Sequence, residues 1–354
     1  MSIHPRSQTD VKSTAPDRTT LDSALTDKTL TDTASTDTAL TDTALSNTTK
    51  KPTFLGIGAH KAGTSWLYQQ LTDHPKVYMP PKKEIHFFDR SPDYLSPNTL
   101  SEPSPLLRPF KLETQDLRNM AVDTARMTKC LLTGDFDKAK WYRKWLFGYY
   151  NEGWYASLFE SHKDYEAYGE ISPAYSMLES HDIAQIKALN PDMKLILMLR
   201  DPIDRIWSNL RYGSGKGRIE VNLDSANDII ATLKQPKVAL RGDYERTLSA
   251  YLEHFDASRL LICFYEAIEQ DPVGLMTGIA NFLGIAPFTQ ANIDAKKRVN
   301  ASKPRPMPQA VKDYLLEAYG PQSRRLAGAL GSYATTWEGT NHSANVQMVP
   351  TLHL

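Results

Sequence analysis

Phe54-Leu55-Gly56-Ile57-Gly58-Ala59-His60-Lys61-Ala62-Gly63-Thr64-Ser65-Trp66-Leu67 decides how the rest of the chain is read. Thr53–Gly58 is apolar and predicts a buried strand. A tight glycine turn follows, then a helix over about Thr64–Thr72. Strand, turn and helix start together form a phosphate cradle: backbone N–H groups converge on the anion and the helix dipole helps to hold it. Thr64 and Ser65 add hydroxyl donors. Gly58 and Gly63 have the spacing of the nucleoside-triphosphate loop G-x-x-x-x-G-K-[ST]. Thr64 stands where that loop has its lysine, and the lysine lies inside the turn, at Lys61. A triphosphate kinase needs the later position to reach its outer phosphates. An early lysine lies over the terminal group of a shorter, diphosphate-like ligand. The alternative for this segment alone is a glycine turn with no ligand.

Outward from this loop, the pattern alternates. Tyr168–Ser172 and Arg259–Tyr265 read as strands, and Lys194–Arg200 as a strongly apolar one. Asp201-Pro202 opens a helix, with Asp as cap and Pro at the first helical position. Pro272–Leu283 reads as a helix, and Met307–Tyr319 and Gln322–Leu330 as two more. Strands alternating with helices predict an α/β fold, P-loop-like and three-layered, around a central, mostly parallel sheet. One domain is expected over 51–338, with 339–354 as a C-terminal tail. Residues 91–167 fit the rhythm least. Eight of the fifteen residues from Trp141 to Tyr155 are aromatic, which reads as core packing or as a wall facing a substrate.

Residues 1–50 hold 14 threonines, no aromatic residue and four tandem pentads that each begin Thr-Asp. A period of five matches neither helix nor strand and buries no continuous stripe. It reads as a disordered tail or a repeat expansion, or alternatively as coils of a β-solenoid. The 354 residues carry 41 basic and 41 acidic side chains, a balance that argues against a nucleic-acid binder. No run approaches the roughly 20 apolar residues of a membrane span, and no signal-peptide pattern is seen. Cys130 and Cys263 match neither a metal-ligand spacing nor a disulfide framework, so a cytoplasmic setting is expected. No pair of histidines reads as a zinc site, and no metal is expected.

Lys61-Ala62-Gly63-Thr64-Ser65-Trp66-Leu67 resembles the 5′-phosphosulfate loop of sulfotransferases that use 3′-phosphoadenosine 5′-phosphosulfate (PAPS), in the form found in heparan sulfate sulfotransferases and bacterial relatives. The resemblance implies a second anion site for the 3′-phosphate. Leu199-Arg200-Asp201-Pro202-Ile203-Asp204-Arg205-Ile206-Trp207-Ser208 has its form, with Arg200 at the strand end and Ser208 about two helical turns on. Guanidinium suits bidentate phosphate contact; taken alone, Arg200 reads equally as an ion-pair or capping residue. Phe264-Tyr265-Glu266, Asp271-Pro272 and Phe282-Leu283-Gly284 resemble a further family segment. Asn300-Ala301-Ser302-Lys303 resembles the loop that closes over the nucleotide, so Ser302, Lys303 and Arg305 are expected at its phosphates, although Pro304 replaces the family's glycine. The expected cofactor contacts are thus Lys61, Ala62, Gly63, Thr64, Ser65, Trp66, Arg200, Ser208, Ser302, Lys303 and Arg305.

The implied chemistry is sulfuryl transfer from PAPS to an acceptor hydroxyl or amine, releasing adenosine 3′,5′-bisphosphate (PAP). Lys61 is the expected stabiliser of the leaving group. Pro81-Lys82-Lys83-Glu84-Ile85-His86-Phe87-Phe88-Asp89, if extended, projects Glu84 and His86 to one side and Ile85 and Phe87 to the other. It resembles the family segment whose Glu is the general base. Glu84 is therefore the expected base, or else an ion-pair partner of Lys82 or Lys83. His86 is a second base, a tuning partner, or structural. Glu170-Ile171-Ser172-Pro173-Ala174-Tyr175 resembles a segment in which the family has Lys at position 171. Its replacement by Ile171 favours an acceptor with little charge. The expected acceptor is a small molecule or saccharide. The competing reading is a kinase-like ATP-dependent phosphotransferase.

Overall fold

The computed structural model describes residues 51–94, 100–111, 114–160, 163–289, 293, 304–340 and 346–354. The repeat segment 1–50 and the predicted residues Ser302 and Lys303 lie outside the described residues.

Six strands form one sheet: β1 (Phe54–Gly58), β2 (Val77–Tyr78), β3 (Ala167–Ile171), β4 (Lys194–Leu199), β5 (Leu260–Phe264) and β6 (Thr351–His353). Their order is β2-β3-β1-β4-β5-β6. All neighbouring pairs are parallel except β5 with β6. This is the α/β, mostly parallel architecture that the alternation predicts. Parallel strands covered on both faces read as continuous apolar runs, and Leu195–Leu199 are wholly buried. The chain leaves β1 toward β2 and β3 on one side and returns to β4 on the other. The order reverses there, and the crevice beyond the carboxyl ends of β1 and β4 is where such sheets bind ligands.

The helices that matter below are α1 (Thr64–Asp73), α2 (Thr114–Leu132), α3 (Phe136–Phe147), α4 (Ser180–Leu189), α5 (Pro202–Gly215), α6 (Tyr244–Leu252), α7 (Pro272–Leu283) and α8 (Gln309–Leu330). The Asp201 carboxylate caps α5 by accepting from the N–H groups of Ile203 (2.8 Å) and Asp204 (3.2 Å), with Pro202 at the first position, as expected. Two expectations are corrected. The two predicted terminal helices are one, α8, which runs through Pro321. And Thr351–His353, assigned to a tail, pairs antiparallel with β5, so that a short strand of three residues, in place of β5, forms this edge of the sheet.

The segment that resisted reading is a hairpin of α2 and α3 with a short helix, Glu152–Ser157. Trp141, Tyr142, Trp145, Tyr150, Trp154 and Tyr155 are buried, so most of the aromatic run is core. Tyr149 is exposed; with Tyr150, Phe88, Arg90, Asp182 and Gln185 it lines a groove of about 380 Å³.

Candidate active site

The turn after β1 is built on a glycine whose backbone conformation disfavours any side chain. Gly63 has φ 87° and forms the N-cap of α1 without a side-chain cap. A Cβ there would lie 2.5 Å from Ile268 Cδ1. The first-turn N–H groups of α1 are thus not taken by a capping side chain, the condition for a helix terminus to receive an anion. Lys61, also at positive φ (65°), sets its ammonium 4.1 Å from the Tyr212 ring centroid. Burial, reinforced by Arg200, Arg211 and Lys83, lowers its pKa to about 8.

Arg200 ends β4 beside this turn. Its Nη1 donates to the Lys61 carbonyl at 3.4 Å, its guanidinium lies 4.4 Å from the Tyr265 ring centroid, and Nη2 pairs with Asp204 at 3.3 Å. Tyr244 Oη donates to the Arg200 carbonyl at 3.0 Å. Behind it, Glu266 Oε1 accepts from the Asp201 N–H (3.0 Å) and Trp337 Nε1 (3.1 Å). Burial pushes the Glu266 carboxyl up to about 7. Ser208 is buried on α5. The two elements predicted to bind anions, 139 residues apart in sequence, therefore meet.

Glu84 and His86 do face one another, but not through an extended chain. Both have positive φ, 63° and 59°, so the predicted strand-like alternation is replaced by two left-handed residues. Ile85 and Phe87 are buried between and beyond them. Glu84 Oε2 lies 3.6 Å from His86 Nε2, and His86 Nδ1 bonds Asp89 Oδ2 at 2.7 Å. Glu84 Oε1 accepts from Lys83 Nζ at 2.5 Å. Burial alone would lower the His86 pKa; Asp89 and then Glu84 outweigh it and raise it to about 10. Burial alone would raise Glu84, but the His86 hydrogen bond and Lys83 hold it well below the usual carboxylate range. At neutral pH the pair is a carboxylate beside an imidazolium.

What enforces those two conformations is a buried hub. Glu170 Oε2 accepts from the Ile85 N–H (3.1 Å) and Ser172 Oγ (2.6 Å); Oε1 accepts from Tyr155 Oη (2.7 Å) and Tyr175 Oη (2.8 Å). Ser172 Oγ accepts from the His86 N–H (3.4 Å), and Tyr175 Oη from the Phe87 N–H (3.0 Å). Three successive N–H groups are thus caught by one segment. Ile171 is fully buried, and a Cβ at Gly56 would come 2.7 Å from its Cγ1. It packs against Gly56 of β1.

Among the other predicted residues, Ala62, Thr64 and Trp66 are buried around the turn and Ser65 is half-buried. Arg305 is turned to Asp224, and its carbonyl accepts from Trp207 Nε1 at 3.0 Å. Sequence reasoning missed Asp89, Tyr212, His60, Arg205 and Arg241. Two of these carried a usable signal: Asp89 is three residues after His86, and Tyr212 is one helical turn after Ser208. Among the described residues no cluster of three or more His, Cys, Asp or Glu could hold a metal ion.

A model of the sulfotransferase family matches residues 52–290. The chain is 28% identical over 143 residues to human heparan sulfate glucosamine 3-O-sulfotransferase 3B1, covering 38% of this chain and 36% of that one. It is 24% identical over 330 residues to mouse carbohydrate sulfotransferase 15, covering 82% and 55%. The alignments thus span 36% to 55% of these curated relatives' own length. A sulfotransferase from Alicyclobacillus acidocaldarius shares the fold, with a TM-score of 0.52, 23% identity, and coverage of 79% of this chain and 96% of that one. The chain belongs to the sulfotransferase family.

Proposed function

We propose that this member of the sulfotransferase family moves a sulfuryl group from PAPS to a hydroxyl or amine of a saccharide or small-molecule acceptor, releasing PAP. The observation that carries the reading is the contact of Arg200 with the Lys61 turn. A helix terminus plus lysine suits the 5′ side of such a nucleotide. A guanidinium at the next strand end suits a second phosphate, which ATP lacks at the 3′ position. The names of the relatives, which specify heparan sulfate and carbohydrate, support a saccharide acceptor. A kinase reading is not favoured, because Thr64 replaces the lysine it needs.

The residues divide the work. Lys61 places its charge at the leaving oxygen, where negative charge grows as the bond to sulfur breaks. Glu84, ionised and about a third exposed (36%), takes the proton of the attacking group as the new bond to sulfur forms. His86, held charged by Asp89, orients Glu84 and adds positive charge facing the transferred group. Gly63 and the start of α1 hold the 5′ side, and Arg200 with Ser208 the 3′-phosphate. Ser302, Lys303 and Arg305 are assigned to the closing loop, Arg305 after leaving Asp224. Residues 51–338 are assigned as the catalytic domain. A cytoplasmic setting is part of the proposal and rests on the two unpaired cysteines, Cys130 and Cys263.

Sulfur-labelled PAPS and γ-labelled ATP, each offered with a panel of saccharides and hydroxylated small molecules, test the reading. Label transfer from PAPS supports it. Transfer from ATP with none from PAPS overturns it.

A further inference from the structure

The phosphates of the donor account for Lys61, Arg200 and Ser208. They do not account for a second group of cations. Arg205 sits on α5, three residues before Ser208 and seven before Tyr212. At 100° per residue these three lie within roughly 60° of one another on the helix face that meets Lys61. Arg205 is 1% exposed, and its Nε and Nη1 have no hydrogen-bond partner among the described residues. Its Nη2 packs against Gly242, where an added Cβ would lie 3.1 Å away. Gly242 follows Arg241, and its carbonyl is held by Gln322 Nε2 at 2.9 Å. His60, in the phosphate turn, has a buried Nδ1 without a partner among the described residues. Arg241, Glu84, His86 and Arg205 all act electrostatically on His60, and Arg205, Arg218 and Glu84 on Arg241. Among the described residues no carboxylate acts on Arg205. A buried guanidinium without a counter-ion is costly, and its neighbours Arg241 and His60 are the groups that feel the Glu84 carboxylate.

We infer that Arg205, Arg241 and His60 form a second anion site beside Glu84, which receives an acidic group of the acceptor: a carboxylate, sulfate or phosphate close to the attacked hydroxyl or amine. This rests on the proposed function. It reverses the expectation of a weakly charged acceptor drawn from Ile171.

Calorimetric titration with sodium sulfate tests it. The full chain is first saturated with PAP, then separately with PAPS, which also fills the position of the transferred group. Sulfate is expected to bind in both cases. Arg241→Gln should weaken it at least tenfold while leaving PAPS affinity within about threefold; Arg241→Met, which keeps the length of the side chain, gives the same readout if Arg241→Gln does not fold. Glucuronate should displace sulfate and glucose should not. Sulfate binding to the PAP complex but not the PAPS complex assigns the pocket to the transferred group and overturns the inference. So does sulfate binding unchanged in both variants, absent sulfate binding, or equal displacement by glucose. Failure of PAP and PAPS to bind at all overturns instead the sulfotransferase reading beneath it.

Discussion

The main-chain N–H of Ile85 donates to Glu170 Oε2 at 3.1 Å, across 85 residues of sequence. Ile85 stands between the two left-handed residues, Glu84 and His86. Non-glycine residues at positive φ cost of order 1–3 kcal/mol each and persist only where surroundings over-determine them. The Glu170 hub supplies that. Glu170→Ala leaves the Tyr155 and Tyr175 hydroxyls and the Ile85 N–H without their acceptor, and should destabilise the fold by about 3 kcal/mol. Urea unfolding gives the value. Glu170→Gln should retain more stability, yet lower kcat more than it raises KM.

Gly63→Ala should remove nucleotide binding. Its φ of 87° disfavours any side chain, and the added carbon meets Ile268 and the Tyr265 ring. The strain is on the order of 1–2 kcal/mol. A loss of PAP affinity greater than the loss of stability, measured by calorimetry and thermal unfolding, checks it.

Arg200→Gln separates the two ends of the nucleotide. PAP affinity should fall roughly 10- to 100-fold, the worth of a charge-assisted phosphate contact. Affinity for adenosine 5′-phosphate, which has no 3′-phosphate, should change less than about threefold. Equal losses for both ligands would place Arg200 elsewhere.

Lys61 must be charged to act, and its pKa in the free protein is about 8. The kcat/KM profile should therefore fall as pH rises through about 8. Lys61→Arg keeps its proton to far higher pH, so that limb should vanish even if the absolute rate drops. Lys61→Met should lose roughly 10²- to 10³-fold in kcat.

His86 ties stability to pH. Its folded pKa, about 10, exceeds the free value of 6.5. The folded state therefore binds the proton more tightly. The resulting stabilisation is complete below about pH 6.5 and is lost as pH rises toward 10. Asp89→Asn should flatten this decline between pH 7 and 10 in thermal unfolding, and bring a neutral-pH ionisation into the rate profile.

The frame was legible because local signals and burial agree. β1, β4 and β5 are apolar runs, and Asp201-Pro202 and Asp271-Pro272 mark the starts of α5 and α7. The Arg200 and Lys61 elements could be read separately; only the sheet order brings them together. Glu84 and His86 were placed on one side for the wrong reason. Their left-handed conformations come from acceptors at Glu170, Ser172 and Tyr175, and no glycine marks the spot. Pro321 reads as a helix boundary in the sequence, yet α8 runs through it. β6 was missed because three residues carry too little pattern to betray a strand. Arg205 looks like any polar helix residue until its burial is known.

In the proposed function, the Lys61 turn and Arg200 together select a 3′-phosphorylated nucleotide. A thermal-shift titration of PAP against ATP with magnesium tests it most directly. A ligand bound only by the native state stabilises it by about 2.7 kcal/mol at a hundredfold excess over Kd. Tm should rise clearly with PAP and little with ATP. A shift with ATP and none with PAP would contradict it.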